Sequence, residues 1–336
     1  IMMVDVPTVG AGGGSLAWVD SLGLLRVGPQ SAGADPGPAA YGKGADAAVT
    51  DADLVLGYIP ADYFLGGDVK LDVARSHRAV EAIGNKLKMN ADQTAQAMFT
   101  TINTVMANLI TEVCTKKGLD VRDFTLVAGG GAGGIHAAAI AKQLSIPMVM
   151  VPRVAALMSA FGMFAMDVGL EYARSCARRQ DQLDFAEIGR MYADMRRQAK
   201  EDFARIGIAQ AQLSYHPTVE MRYAGQFHEV EVDLPAGELN AKNLQVLLKT
   251  FHTKYEKMYT YSMAWRDAEF LTFRLKVTAP ARPIKTAASA KAAGGIKAAS
   301  RGSRRCLFDG KAQRVDTPVY DWDRLVPGHK IGGPAL

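Results

Sequence analysis

Asp123-Phe-Thr-Leu-Val-Ala128 runs directly into Gly129-Gly-Gly-Ala-Gly-Gly134, followed by the small-residue stretch 135–144 and then Met148-Val-Met-Val151, stopped by Pro152. The first and last segments are short apolar runs bounded by turn residues, which predicts two strands, the first of them buried. The middle is rich in alanine and predicts a helix. Strand, glycine loop, helix, strand is a βαβ-like unit, so the chain is α/β in class. Glycines after a strand let a ligand approach the backbone. The first turn of the next helix adds unpaired N–H groups and the positive end of its dipole. The loop therefore predicts an anion-binding site. It is not a P-loop, because no Gly-Lys-Ser or Gly-Lys-Thr follows. Gly129, Gly131 and Gly134 match Gly-x-Gly-x-x-Gly, yet about twenty residues further on there is no acid for a ribose hydroxyl. A tight strand-to-helix turn without a ligand explains the same residues. His136 follows the loop and is a candidate acid–base group, with a packing or capping histidine as the alternative.

Gly12-Gly-Gly-Ser15 is a second place where backbone could wrap an anion. It leads into apolar runs 16–19 and 24–27 around a glycine turn, which predict a hairpin. Asp35 stands on a proline- and glycine-fixed loop, 28–38, and is a second candidate catalytic group. Asp51 and Asp53 form an Asp-x-Asp pair after Thr50; they suit either a divalent cation or, more simply, the start of a helix. Residues 73–89 and 91–117 carry helical periods, the second capped by Asn90 or Asp92 and ended at Gly118. Residues 156–166 predict a further buried helix, and 184–207 a charged, exposed one. Alternation over 217–234 around Ala224-Gly-Gln226 predicts a hairpin. A helix over 240–258 and a strand over 269–277 follow.

Composition narrows the function classes. With 49% hydrophobic and 22% charged residues over 336 positions, the chain is too apolar to be disordered and long enough for about two domains. Cys114, Cys176 and Cys306 are far apart and have no metal-site spacing, so a disulfide framework is not expected and a reducing, cytoplasmic compartment is. No apolar run reaches the ~20 residues of a membrane helix. The net charge of +5 is local: residues 282–305 hold seven Lys and Arg and no acid, so the remainder is slightly acidic. That stretch is rich in Ala, Gly and Ser and predicts a flexible linker. Nucleic acid is not the expected partner, because no aromatic side chains are interleaved with its charges.

The order of motifs resembles the hydantoinase A / 5-oxoprolinase / acetone carboxylase family. The resemblance is carried by Val9-Gly-Ala-Gly-Gly-Gly-Ser15, by Arg26-Val-Gly-Pro-Gln-Ser-Ala-Gly-Ala-Asp-Pro-Gly-Pro38 with Tyr41-Gly42, and by Thr50-Asp-Ala-Asp-Leu-Val-Leu-Gly57. Gly129 to His136, Met158-Ser-Ala-Phe-Gly162, Arg222-Tyr-Ala-Gly-Gln226 and Thr317-Pro-Val-Tyr320 continue it, and Gly332-Gly-Pro-Ala335 closes it. The resemblance implies an actin/Hsp70/sugar-kinase-like lobe with a mixed sheet and flanking helices, plus a small α+β C-terminal region. The implied organisation is a lobe over 1–175, the α+β region over 176–281, the basic linker over 282–305 and a β tail over 306–336. It further implies ATP with Mg or Mn, held by Gly12, Gly13, Gly14, Ser15, Gly129, Gly130, Gly131, Ala132, Gly133 and Gly134.

The family's phosphate loops of the Asp-Gly-Gly-Thr type are not in this sequence, so the chain is expected to be the later half of a family member. The segment 155–166 and Gly133-Gly134 before Ile135-His136 resemble the acetone or acetophenone carboxylase branch. There the implied role is phosphorylation of a ketone and bicarbonate, with a larger metal-bearing catalytic subunit and a small subunit as partners. ATP-dependent opening of a hydantoin, 5-oxoproline or other cyclic amide is the alternative. A non-catalytic half-lobe is the reading of another class.

Overall fold

The computed structural model describes residues 6–281, 295–308 and 310–336. They fall into two compact units, one built from Ile1–Phe161 with Thr286–Leu336 and the other from Gly162–Lys285. The expected boundary at 175 lies inside a strand of the second unit. Much of the expected basic linker, residues 282–294, lies outside the described residues; the rest of it forms a short 3-10 turn and a strand.

In the first unit β1 (Ser15–Val19) and β2 (Leu25–Ser31) form the expected antiparallel hairpin. Three helices follow, α1 (Val49–Leu56), α2 (Val73–Leu87) and α3 (Ala91–Lys116). Asn90 caps α3 by accepting from Gln93 N–H, while the Gln93 side chain reaches back to Asn90 N–H, a capping box. Ala95, Met98, Phe99 and Ile102 of α3 bury one face against Val49, Ala52, Val55 and Leu56 of α1. Next come β3 (Thr125–Val127), α4 (Gly133–Leu144) and β4 (Met148–Met150), with β3 and β4 parallel, as a βαβ unit requires. An eight-residue helix, α5 (Met158–Ala165), spans the boundary between the units.

Two burial expectations are corrected here. β3 is not a buried strand: Val127 is 48% exposed, and Met148 and Met150 of its partner are 57% and 52% exposed. α5 is a helix but not a buried one, since Met163 and Phe164 are each 73% exposed. Parallel strands read as continuous apolar runs because both sheet faces are normally covered. Among the described residues this two-stranded sheet lacks such cover. Apolar sequence reports that a surface is suited to burial, not which chain buries it.

The second unit is a two-layer α+β arrangement. β5 (Val168–Arg179), α6 (Phe185–Arg205), β6 (Ser214–Tyr223), β7 (Val230–Asp233), α7 (Ala241–Tyr259) and β8 (Ala268–Ala279) follow one another. The sheet order is β5-β8-β6-β7, and every neighbouring pair is antiparallel. β6 and β7 are the hairpin read from the alternation. α6 is charged as expected but not wholly exposed. Ile188, Tyr192, Met195, Ala199 and Phe203 recur every three or four residues and are buried against the sheet.

The tail returns to the first unit as an antiparallel pair, β9 (Ser300–Cys306) and β10 (Val315–Tyr320). It closes on the end of α1: Leu307 N–H donates to Leu56 C=O at 3.0 Å, and Tyr58 Oη donates to Leu307 C=O at 2.8 Å. Gly57 ends α1 in the left-handed region, with φ 88°. A Cβ there would lie 2.7 Å from the Arg305 carbonyl oxygen. Gly57→Ala therefore combines an unfavourable φ with a backbone clash, and an expected loss of about 3 kcal/mol would appear in denaturant unfolding. A loss below about 0.5 kcal/mol, the size of an ordinary surface substitution, would mean that the tail is not held this closely.

Candidate functional site

The two glycine segments meet in the first unit. Gly13 C=O accepts from Thr50 N–H at 2.8 Å and from Thr50 Oγ1 at 2.9 Å, which ties the first segment to the start of α1. A Cβ on Gly13 would lie 2.9 Å from Thr50 Oγ1 and 3.7 Å from the Ala132 side chain. Ala132 is the N-cap residue of α4, so Gly12–Ser15 and Gly129–Gly134 lie side by side.

Their internal bonding differs. Ser15 closes its own loop: its Oγ accepts from Gly12 N–H at 3.0 Å and its N–H donates to Gly12 C=O at 3.0 Å. Ser15 is thus a shaping residue, and Gly12 N–H is already used. Gly130 N–H donates to Ala155 C=O at 2.7 Å. The N–H groups of Gly13, Gly14, Gly131, Gly133 and Gly134 make no hydrogen bond among the described residues. Unbonded N–H groups beside a helix start suit an anion.

The glycines themselves are needed for different reasons. Gly130 has φ 84°, a backbone reason, and a Cβ on Gly129 would meet Met158 Sδ at 2.9 Å, a packing reason. Gly12, Gly131 and Gly134 have neither: their φ values are not positive, and a Cβ would meet no atom within 4 Å. Within a helix, glycine at 134 costs about 1 kcal/mol relative to alanine. Open space above glycines that the fold does not need is the observation favouring a ligand.

The candidate acid–base residues separate. Asp35 is exposed on the loop after β2, with its carboxylate 3.2 Å from Lys43 Nζ. His136 is 2% exposed and stacks on Phe99, with centroids 5.0 Å apart. Its Nδ1 lies 2.9 Å from Asn103 Oδ1 and its Nε2 lies 3.5 Å from Asp53 Oδ2. Both ring nitrogens face protein groups, beneath the loops.

The Asp-x-Asp pair also divides. Asp51 accepts from the N–H groups of Ala39, Ala40 and Ala48 and from Ser76 Oγ, at 3.1, 2.7, 2.8 and 2.6 Å. It is the helix-start residue of the simpler reading, and it also ties in the loop before α1. Asp53 is 1% exposed, and neither carboxyl oxygen has a hydrogen-bond partner among the described residues. Burial pushes its pKa up, and His136 only partly offsets this. The residue missed in the sequence is Asn103. Its signal was a polar side chain on the buried stripe of α3, four positions after Phe99. Among the described residues no three His, Cys, Asp or Glu side chains gather in a set that could hold a metal. No described helix is long and apolar enough to cross a membrane.

Against known proteins, the chain is 33% identical over 348 residues to caprolactamase subunit alpha of Pseudomonas jessenii, covering 100% of this chain and 49% of that protein. The crystal structure of ATP-dependent caprolactamase from the same organism superposes with a TM-score of 0.64 at 33% identity, over 99% of this chain and 49% of that one. A nucleotide-free acetone carboxylase structure, from work on ATP-dependent acetone carboxylation, superposes with a TM-score of 0.79 at 27% identity, over 97% and 48%. The chain thus spans about half the length of these relatives. A hydantoinase/oxoprolinase family model matches residues 1–172, and the model of that family's C-terminal domain matches residues 176–336. With both models matched in sequence order and the mixed α/β architecture shared with these structures, the chain belongs to the hydantoinase/oxoprolinase family.

Proposed function

We propose that this chain supplies part of an ATP site to a multi-subunit enzyme that activates a carbonyl or amide oxygen by phosphorylation. The observation that carries the reading is the junction of Gly12–Ser15 with Gly129–Gly134 at Gly13, Thr50 and Ala132. The open space over Gly12, Gly131 and Gly134 fits a phosphate chain, which the free N–H groups of Gly13, Gly14, Gly131, Gly133 and Gly134 would hold. On this reading the first unit is a lobe of the actin and sugar-kinase kind. ATP supplies a phosphoryl group that turns the carbonyl oxygen into a better leaving group. The chain's own residues orient the phosphates through backbone N–H groups and fix the loops through Thr50 and Ser15. His136 acts from beneath the loops rather than at the reacting atoms. Among the described residues no ligand set fits the divalent cation expected with ATP.

The likeness to the acetone carboxylase structure supports a ketone substrate with bicarbonate as the second reactant. The 33% identity to a caprolactamase subunit favours a second reading, ring opening of a cyclic amide. Both readings need a partner that completes the reaction, a larger metal-bearing subunit in the carboxylase case. The test is ATP hydrolysis by the native assembly purified through this chain. Stimulation by a ketone with bicarbonate supports the first reading, and stimulation by a lactam, hydantoin or 5-oxoproline supports the second. ATP hydrolysis that responds to none of these, or no nucleotide binding at all, would return the chain to a structural role.

A further inference from the structure

Asp53, His136 and Asn103 belong to three different helices, α1, α4 and α3, and are 1%, 2% and 3% exposed. Asp53 follows Thr50 by three residues and His136 follows Ala132 by four. Asp53 and His136 therefore lie about one helical turn along α1 and α4 from the two residues, Thr50 and Ala132, at which the glycine segments meet, and Asn103 joins them through His136. A buried carboxyl without hydrogen bonds is costly, and a buried carboxylate far more so. Nothing in the core packing calls for an acid here: Val49, Ala52, Val55 and Leu56 beside it on α1 are apolar and buried. The other acid on that helix, Asp51, is saturated by four donors and faces Ser76 of α2, so it neither shares nor neutralises Asp53. From α3 the neighbouring groups are Asn103 and the Phe99 ring, and from α4 it is His136.

The proton count follows from these partners. Nδ1 of His136, 2.9 Å from the Asn103 oxygen, is a donor. Nε2 is then an acceptor if the ring is neutral, and the group that can donate to it is Asp53 in its acid form, with a small closing of the 3.5 Å gap. The charged alternative buries a carboxylate and an imidazolium together, whose joint desolvation costs several kcal/mol. Burial also raises the proton affinity of Asp53, in the same direction.

We propose that Asp53 is a positioning residue that keeps one proton and donates it to His136 Nε2, while His136 Nδ1–H donates to Asn103, so that three helices are joined beneath the glycine loops and the first turn of α4 is held ready for an anion. This rests on the ATP reading above. The chain of donors is neutral throughout, so it fixes α4 without a charge that would compete with the phosphates. It also accounts for a histidine that lies too deep to reach substrate.

The test uses the full-length protein in its native assembly. Asp53→Asn supplies an N–H donor of the same shape and should keep ATP affinity within about twofold, whereas Asp53→Leu, lacking the donor, should weaken it about tenfold. kcat at saturating ATP should change little in either, because the trio does not touch the reacting atoms. Equal ATP affinity in a folded Asp53→Leu protein overturns the proposal and leaves the ATP reading intact, whereas no ATP binding by the wild type sinks both. Infrared difference spectra of wild type against Asp53→Asn read the proton without any nucleotide. A protonated carboxylic acid band at neutral pH, with His136 in the Nδ1–H form by nitrogen NMR, is expected. A carboxylate band overturns the proposal even if Asp53→Leu fails to fold.

Discussion

Gly131→Val should weaken ATP binding about a hundredfold, the loss of two charge-assisted N–H contacts at roughly 1.5 kcal/mol each. It should do so without lowering the melting temperature. The second half of that expectation gives the experiment its force. Gly131 does not have a positive φ, and a Cβ there meets no atom within 4 Å, so the fold has room for the valine. The isopropyl group would occupy the space that the phosphates need, beside the free N–H groups of Gly131, Gly133 and Gly134. Gly129→Val is the instructive contrast. Its Cβ would lie 2.9 Å from Met158 Sδ, so stability should fall along with binding. Calorimetric ATP titration with a thermal melt on each protein separates the two. Undiminished affinity in folded Gly131→Val protein would remove the second glycine loop from the site.

The glycine loop was legible as local structure because its residue types dictate the turn directly. A strand, a run of glycines and a small-residue helix occur in that order only when the backbone turns sharply, and the turn exposes N–H groups whatever the ligand. The hairpin at β1 and β2, the βαβ unit, α3 with its Asn90 cap and the hairpin of β6 and β7 were legible for similar reasons. Each is written in a local period or a cap. Depth was not legible. Thr125–Val127 and Met148–Met150 are apolar enough for an interior, yet Val127 and Met150 are about half exposed. The sequence left His136 open between an acid–base group and a packing or capping histidine, because it adjoins a loop. Counting from Ala132, however, four residues turn it back along the helix and under the loop. Asp51 and Asp53 are indistinguishable in sequence, two residues apart on one short helix. That spacing turns them about 200° apart, so one meets the Ala39–Ala40 backbone and the other meets His136. Only the packing of α3 and α4 tells which is which.

Asp51→Ala should unfold the first unit or bring it to the edge of unfolding. The four donors that Asp51 now satisfies, at 2.6 to 3.1 Å, come from three separate segments: the turn at Ala39 and Ala40, the residue before α1 at Ala48, and Ser76 on α2. Asp51 is fully buried, and Ala39, Ala40, Ala48 and Ser76 are each no more than 1% exposed, so water cannot easily replace the lost acceptor. Leaving three buried N–H groups unpaired, at 1–3 kcal/mol each, gives an expected loss of about 4 kcal/mol after partial relaxation. That is a large share of the 5–15 kcal/mol typical of a whole domain. Asp51→Asn keeps one acceptor oxygen but turns the other into a donor facing N–H groups, so it should rescue little. Asp53→Asn, two residues away on the same helix, should leave stability nearly unchanged because an amide can meet His136 as the acid does. The contrast between two positions within one turn of α1 is read by denaturant unfolding of these three variants beside the wild type. If Asp51→Ala and Asp53→Asn melt alike, then the Asp51 carboxylate is not the tie between these segments.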